Sequence, residues 1–162
     1  MKFQIHKEDL LGPITTVQKA ISGRTPLPIL EGIYIQVKDN FLTLMGTDGE
    51  ISIKSKLPVQ VEEEGDLVVN SRLFGEIIRK LPSSMIYFNL EEKNLNIRCQ
   101  QSEFNILGQS SQEFPPMPEV DKGVKISLPR ESLVNSLRAT SFAVSLDDLR
   151  MALTGVLFDI EE

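Results

Sequence analysis

The sequence predicts an α+β fold: a domain with two helices packed on antiparallel sheets, followed by an incomplete second copy of the same design. Three observations carry this reading. The chain contains its own opening twice, since Lys2 to Val37 and Lys125 to Ile160 align without a gap at an offset of 123. The first 107 residues give strand, helix, three strands, and then the same order again. A proline-rich stretch, Glu113-Phe114-Pro115-Pro116-Met117-Pro118-Glu119, lies between the two copies and reads as a connector.

The elements follow in order. Phe3 and Ile5 alternate with polar neighbours, so residues 2–6 predict a strand. Leu10, Ile14, Val17 and Ile21 recur at helical spacing, with Leu11 beside them, and predict an amphipathic helix of about four turns. Pro13 falls early in it, and Gly23 is a plausible stop. Arg24-Thr25-Pro26-Leu27-Pro28 is a loop. Strands follow at Ile33–Val37, at Leu42–Leu44 and from Ile51 towards Leu57, separated by turns at Asp39-Asn40 and Thr47-Asp48-Gly49. Glu62-Glu63-Glu64-Gly65 reads as a charged turn and Leu67–Val69 as a strand. Ser71 is the expected N-cap of a second helix whose apolar face is Leu73, Phe74, Ile77, Ile78 and Leu81, ended by Pro82. Strands are expected at Met85–Leu90, Leu95–Cys99 and Glu103–Leu107.

After the connector the pattern restarts, with a strand at Ile126–Leu128, a helix over 130–144 and a strand at Leu153–Ile160. Leu133, Leu137 and Val144 are expected to face inward. The two copies share seven identities (Lys2/Lys125, Glu8/Glu131, Leu10/Leu133, Ala20/Ala143, Ser22/Ser145, Leu30/Leu153 and Gly32/Gly155), where ordinary residue usage gives roughly two. Exchanges such as Ile5/Leu128 and Ile35/Phe158 preserve the apolar pattern. The expected organisation is therefore a complete domain over residues 1–120, a linker at about 113–124, and the truncated start of a second domain over 125–162. A strand, helix and strand alone cannot bury enough apolar surface to be stable, so the chain reads as a fragment of a longer protein. Its apolar flank around residues 150–160 is expected to promote self-association.

Composition narrows the function. Hydrophobic content of 41% and charged content of 25% are ordinary for a globular domain. No run approaches the length of a membrane span, and the start shows no signal-peptide pattern. One cysteine suits a reducing compartment, so a cytoplasmic location is expected. A formal charge of −6 argues against gripping nucleic acid over the whole surface, but permits a basic stripe on one face.

Met1-Lys2-Phe3, Arg24 to Leu30, Gly46-Thr47-Asp48, Arg72-Leu73-Phe74, Lys80-Leu81-Pro82 and Leu149 to Val156 together resemble the bacterial DNA polymerase III beta subunit family, the sliding clamps, with order and spacing in one register along the whole chain. The resemblance implies a clamp fold of repeated domains. It also implies a non-catalytic processivity factor, in which two three-domain subunits close head to tail around duplex DNA and tether the replicative polymerase. Implied partners are duplex DNA, a second clamp subunit, the polymerase III catalytic subunit, the clamp loader and other proteins bearing clamp-binding motifs. No cofactor and no metal are implied.

Lys19, Arg24, Arg72, Arg79, Lys80 and Arg138 lie on or beside the outer helix faces. As scattered cations without base-reading groups they suit sequence-blind phosphate contact. The resemblance makes Arg24 and Arg72 the leading candidates. Glu76 stands at helical spacing from Arg72 and Lys80 and would dilute their field. Phe104 and Ile106 alternate on the last strand of the first domain, as core residues or as part of an edge; the family places its subunit contact at that strand. Leu153 is either a buried strand leucine or, by resemblance, part of an incomplete cleft for short peptide motifs. The competing function is an enzyme or small-molecule-binding protein built on repeated sheet domains. It would need a deep polar pocket holding His6, Cys99 or Asp147-Asp148. Cys99 reads as a buried apolar residue, His6 has no companion ligand, and Asp147-Asp148 reads as a helix-ending turn.

Overall fold

A computed structural model of the chain describes residues 1–23, 25, 27–116 and 125–160. The chain forms two compact units, Met1–Pro118 and Glu119–Glu162.

The first unit runs β1 (Lys2–His6), α1 (Lys7–Val17), β2 (Gly32–Lys38), β3 (Phe41–Thr47), β4 (Ser52–Pro58), β5 (Gln60–Glu63), β6 (Gly65–Asn70), α2 (Ser71–Lys80), β7 (Met85–Glu91), β8 (Asn94–Cys99) and β9 (Ser102–Leu107). Its strands form a five-stranded sheet in the order β5-β1-β7-β8-β9 and a four-stranded sheet in the order β4-β3-β2-β6, antiparallel throughout. The connectivity exchanges strands between the two halves. β1 precedes the first helix yet pairs with β7, which follows the second. β6 precedes the second helix yet pairs with β2, which follows the first.

One apolar core joins these elements. Leu10, Ile14 and Val17 of α1 and Phe74, Ile77 and Ile78 of α2 pack with inward residues of both sheets, among them Phe3, Ile35, Leu44, Ile86 and Ile97. Phe3 and Phe88 face each other across β1 and β7 and stack with centroids 4.5 Å apart; Phe88 also meets Phe74 of α2 at 6.2 Å. A single ring thus ties a sheet to a helix, and such pairs add to what burial alone provides.

The structure corrects several sequence expectations. The α1 helix ends at Val17 and tightens into a 3-10 turn at Gln18–Ala20, so Ile21 lies beyond it. The second helix is capped by Asn70, whose side chain accepts the Leu73 N–H at 2.9 Å; Ser71 is its first residue and is buried. The expected charged turn Glu62-Glu63-Glu64-Gly65 begins inside a strand, β5. β5 pairs with β1 because Val61 can join the apolar core while Gln60, Glu62 and Glu63 stay outside.

The connector also starts later than its composition suggests. Gln109 exchanges two backbone hydrogen bonds with Val68 of β6 (2.8 and 3.1 Å). The Ser111 hydroxyl donates to Asp66 at 2.8 Å, and the Tyr34 phenol donates to the other Asp66 oxygen at 3.2 Å. Phe114 stacks on Tyr34 at 5.4 Å and is buried in a small second cluster with Ile29, Leu30, Met45 and Val68. Residues 109–114 are therefore a clasp on the outer side of the β4-β3-β2-β6 sheet.

In the second unit, α3 spans Arg130–Thr140 and a 3-10 turn follows at Ser141–Ala143. These bounds match α1 and its 3-10 turn, each displaced by 123 residues. The strands expected at Ile126–Leu128 and Leu153–Ile160 do not form: among the described residues of this unit there is no β-strand. The reason lies in the strand exchange. The matching segments of the first unit, β1 and β2, sit in different sheets and pair with later elements, not with each other. Leu133, Leu137 and Val144 are consequently only half-buried, while Leu149 and Leu157 are exposed.

Two outcomes are expected. Phe88→Ala lowers the unfolding free energy by about 3–5 kcal/mol in denaturant titration, the range for emptying a core aromatic site. Burial first, then the Asp66 charge and hydrogen bond, push the Tyr34 phenol from 10.0 to about 12. Its folded pKa lies above the unfolded value, so its contribution to stability is complete below pH 10.0 and is lost as pH rises towards about 12. Asp66→Asn should bring the Tyr34 titration, followed by near-ultraviolet absorbance, part of the way back towards 10.0.

Candidate nucleic-acid interface

The outward side of the first unit's helix pair is assembled by close contacts at both ends. Gln18, just past α1, donates its amide to the Ser71 carbonyl at 2.8 Å. Gly75 of α2 lies under that amide, and a β-carbon there would stand 2.5 Å from Gln18 Nε2, so the missing side chain lets the helices approach. At the opposite end, the Lys7 ammonium donates to the Arg79 carbonyl at 2.9 Å and to the Leu81 carbonyl. A cation on the last carbonyls of α2 complements the helix dipole. Ser83 donates to Glu8 at 2.6 Å beside it.

These contacts leave an open groove of about 540 Å³ between the end of α1 and α2. Arg72, Arg79, Gln18, Asn70, Glu76 and Glu31 are among its lining residues. Arg72 and Arg79, seven residues apart on α2, both border it. Lys19 is exposed next to Gln18, and Lys80 is exposed at the end of α2, but neither lines the groove. Arg24 lies outside the described residues. Arg138 belongs to the second unit, where it is exposed and borders a separate depression with Arg130, Glu131, Val134 and Asn135.

Glu76 pairs with Arg72, Nε to Oε1 at 3.1 Å. Among the described residues, the other ion pairs join Glu63 to Lys2 and to the N-terminus, and Arg98 to Glu103. Arg79, Lys80, Lys19 and Arg138 take part in none of them. The spacing of Glu76 signals its pairing in the sequence. Gln18 does not announce itself, because its role depends on a residue 53 positions away.

β9 is an edge strand, with β8 on one side and, among the described residues, no strand on the other. The two residues singled out on it differ. Ile106 is buried in the core at 2% exposure, paired across the ladder with Leu95, so its side chain is not available to another chain. Phe104, on the same face but nearer the strand's start, is 39% exposed, and Leu107 on the other face is 72% exposed. Glu103 is held below the usual carboxylate range by the Asn96 amide and then by Arg98.

Leu153 closes a 3-10 segment and is 53% exposed, so it is not a buried strand leucine. His6 precedes the first residue of α1 and makes no side-chain capping bond, Cys99 is fully buried near the Pro82 carbonyl, and Asp147 accepts the Leu149 N–H in a turn. These three do not share a pocket with one another in the grooves described. No group of three or more metal-ligating side chains occurs among the described residues. No helix among them is long and apolar enough to cross a membrane.

Comparison with known proteins gives a consistent result. Residues 1–118 match the family model for the DNA polymerase III beta subunit, N-terminal domain. The chain is 37% identical to the beta sliding clamp of Bacillus subtilis, a match covering all of this chain and 45% of that protein. It is 36% identical to the beta sliding clamp of Staphylococcus aureus, with the same coverage. Among solved structures, it is similar to a putative DNA polymerase III beta subunit from Eubacterium rectale (TM-score 0.94, 34% identity, 100% of this chain and 44% of that one). It is also similar to the Bacillus subtilis sliding clamp (TM-score 0.89, 36% identity, 93% and 42%). The chain therefore spans a little under half the length of these relatives.

Lys7→Met is expected to loosen the last turn of α2. The Leu81 amide, bonded to the Ile77 carbonyl at 3.1 Å, should exchange with solvent several-fold faster, with a loss of about 1 kcal/mol in stability.

Proposed function

This chain belongs to the DNA polymerase III beta subunit family through an N-terminal domain over residues 1–118, and we propose that it supplies part of a ring-shaped processivity factor that encircles duplex DNA. The observation that carries this reading is the groove in which Arg72 and Arg79 meet on the outward side of the helix pair. Two arginines among amides, hydroxyls and the carboxylates of Glu31 and Glu76 suit weak contact with phosphate oxygens, and nothing there is arranged to read bases. Lys19 and Lys80 extend the charge along the same helix pair, with Arg24 and Arg138 as further contributors.

The proposed mechanism is topological. A closed ring leaves DNA only by opening, so retention does not require strong contacts. Weak and scattered cations then favour sliding. Tethering raises the polymerase's effective concentration at the primer end. The subunit catalyses no reaction of its own and works in the cytoplasm. In this reading β9 pairs with a second clamp subunit through its unpaired backbone edge and Phe104, since an open edge accepts strand addition. The segment 125–160 opens a second domain of the same kind, and Leu153 belongs to a peptide cleft completed by residues not in this chain. Further proposed partners are the polymerase III catalytic subunit, the clamp loader and other clamp-binding proteins.

The test is loading onto nicked circular DNA by the ring-forming protein carrying Arg72→Ala with Arg79→Ala. Loading should fall several-fold, and the dependence of log affinity on log salt should flatten by about 2, near 0.9 per lost phosphate contact, while rings already closed on the circle stay as long as before. Unchanged loading and salt slope would refute the DNA-facing role of this groove.

A further inference from the structure

Building on the proposed DNA-facing groove, we infer that Glu76 is a fixed counter-charge that weakens the hold of α2 on the phosphate backbone, and that its carboxylate yields Arg72 when a phosphate arrives. Arg72, Glu76 and Arg79 lie at i, i+4 and i+7 of one helix and all line the groove. Residues so spaced share a helix face. The carboxylate therefore stands between the two arginines that a phosphate would bridge. A second carboxylate, Glu31, lines the same groove and pairs with no cation among the described residues. Two arginines facing two glutamates leave the groove near neutrality, which is not what tight phosphate binding would select.

The geometry of the pair suits a contact that opens. Glu76 meets Arg72 through Nε alone, at 3.1 Å, and the Arg72 side chain is 89% exposed. The guanidinium has five N–H donors in all, so its remaining donors stay available to an incoming oxygen. An exposed pair of this kind holds too weakly to resist a phosphate competing for the same arginine. Nor does the fold depend on this charge. Glu76 sits in the middle of α2, away from the helix start where acidic groups are favoured, and glutamine has similar helix propensity.

The experiment measures anisotropy of this chain with a labelled duplex of ~20 base pairs, in salt from about 20 to 150 mM. Three variants are compared with the native chain: Glu76→Gln, Arg79→Ala, and Glu92→Gln in the turn between β7 and β8, which removes the same charge away from the helices. Glu76→Gln should bind about threefold more tightly, the effect of freeing one exposed ion-pair partner, with a salt slope steeper by about 0.9. Glu92→Gln should change affinity far less. If Arg79→Ala weakens binding while Glu76→Gln matches Glu92→Gln, the counter-charge idea is overturned and the groove reading stands. If Arg79→Ala leaves binding unchanged, or the native chain does not bind, the groove reading fails and the role of Glu76 falls with it.

Discussion

The first unit depends on strand exchange between its two halves. β1 belongs in sequence to the first half and in space to the second, and β6 does the reverse. Each lead strand joins the sheet of the other half: β1 bonds to β7, carrying β5 with it, and β6 bonds to β2. The helices follow from this. Once both lead strands have crossed over, α1 and α2 emerge side by side and bury their apolar faces in one core. Phe88 stands at the join, stacked on Phe3 and tilted against Phe74.

The same constraint accounts for the second unit. Its helix and following 3-10 turn reproduce α1 and the turn after it at a constant displacement, because helical hydrogen bonds are satisfied locally. Its flanking segments stay out of any ladder, because their counterparts in the first unit are paired with elements that come later in the chain. The repeat therefore survives in helices and lapses in strands.

Outside the core, the surfaces differ in character. Part of the outer face of the β4-β3-β2-β6 sheet is covered by the clasp of residues 109–114, held through Asp66 and Tyr34. The edge at β9 is left open, with Arg98 and Glu103 paired beside it, a charge pattern that discourages indiscriminate strand pairing. The helix side carries cations in dilute form, one of them already paired.

The sequence by itself determined the family, the α+β class, both helices of the first unit, most of its strands and the long repeat. These rest on local periodicity, where side chains such as Leu10, Ile14 and Val17 reveal their face by spacing alone. It also showed that Glu76 could reach Arg72. Only the tertiary structure decided that β5 is a strand, that Asn70 and not Ser71 caps α2, that Ile106 is buried while Phe104 is exposed, and that Phe114 belongs to the first unit. It alone brought Gln18 to Ser71 and Glu31 into the groove with the arginines of α2. Apart from the Asn70 cap, whose Leu73 partner is three residues away, these depend on a partner far along the chain, and a strand or a groove exists only once that partner has arrived.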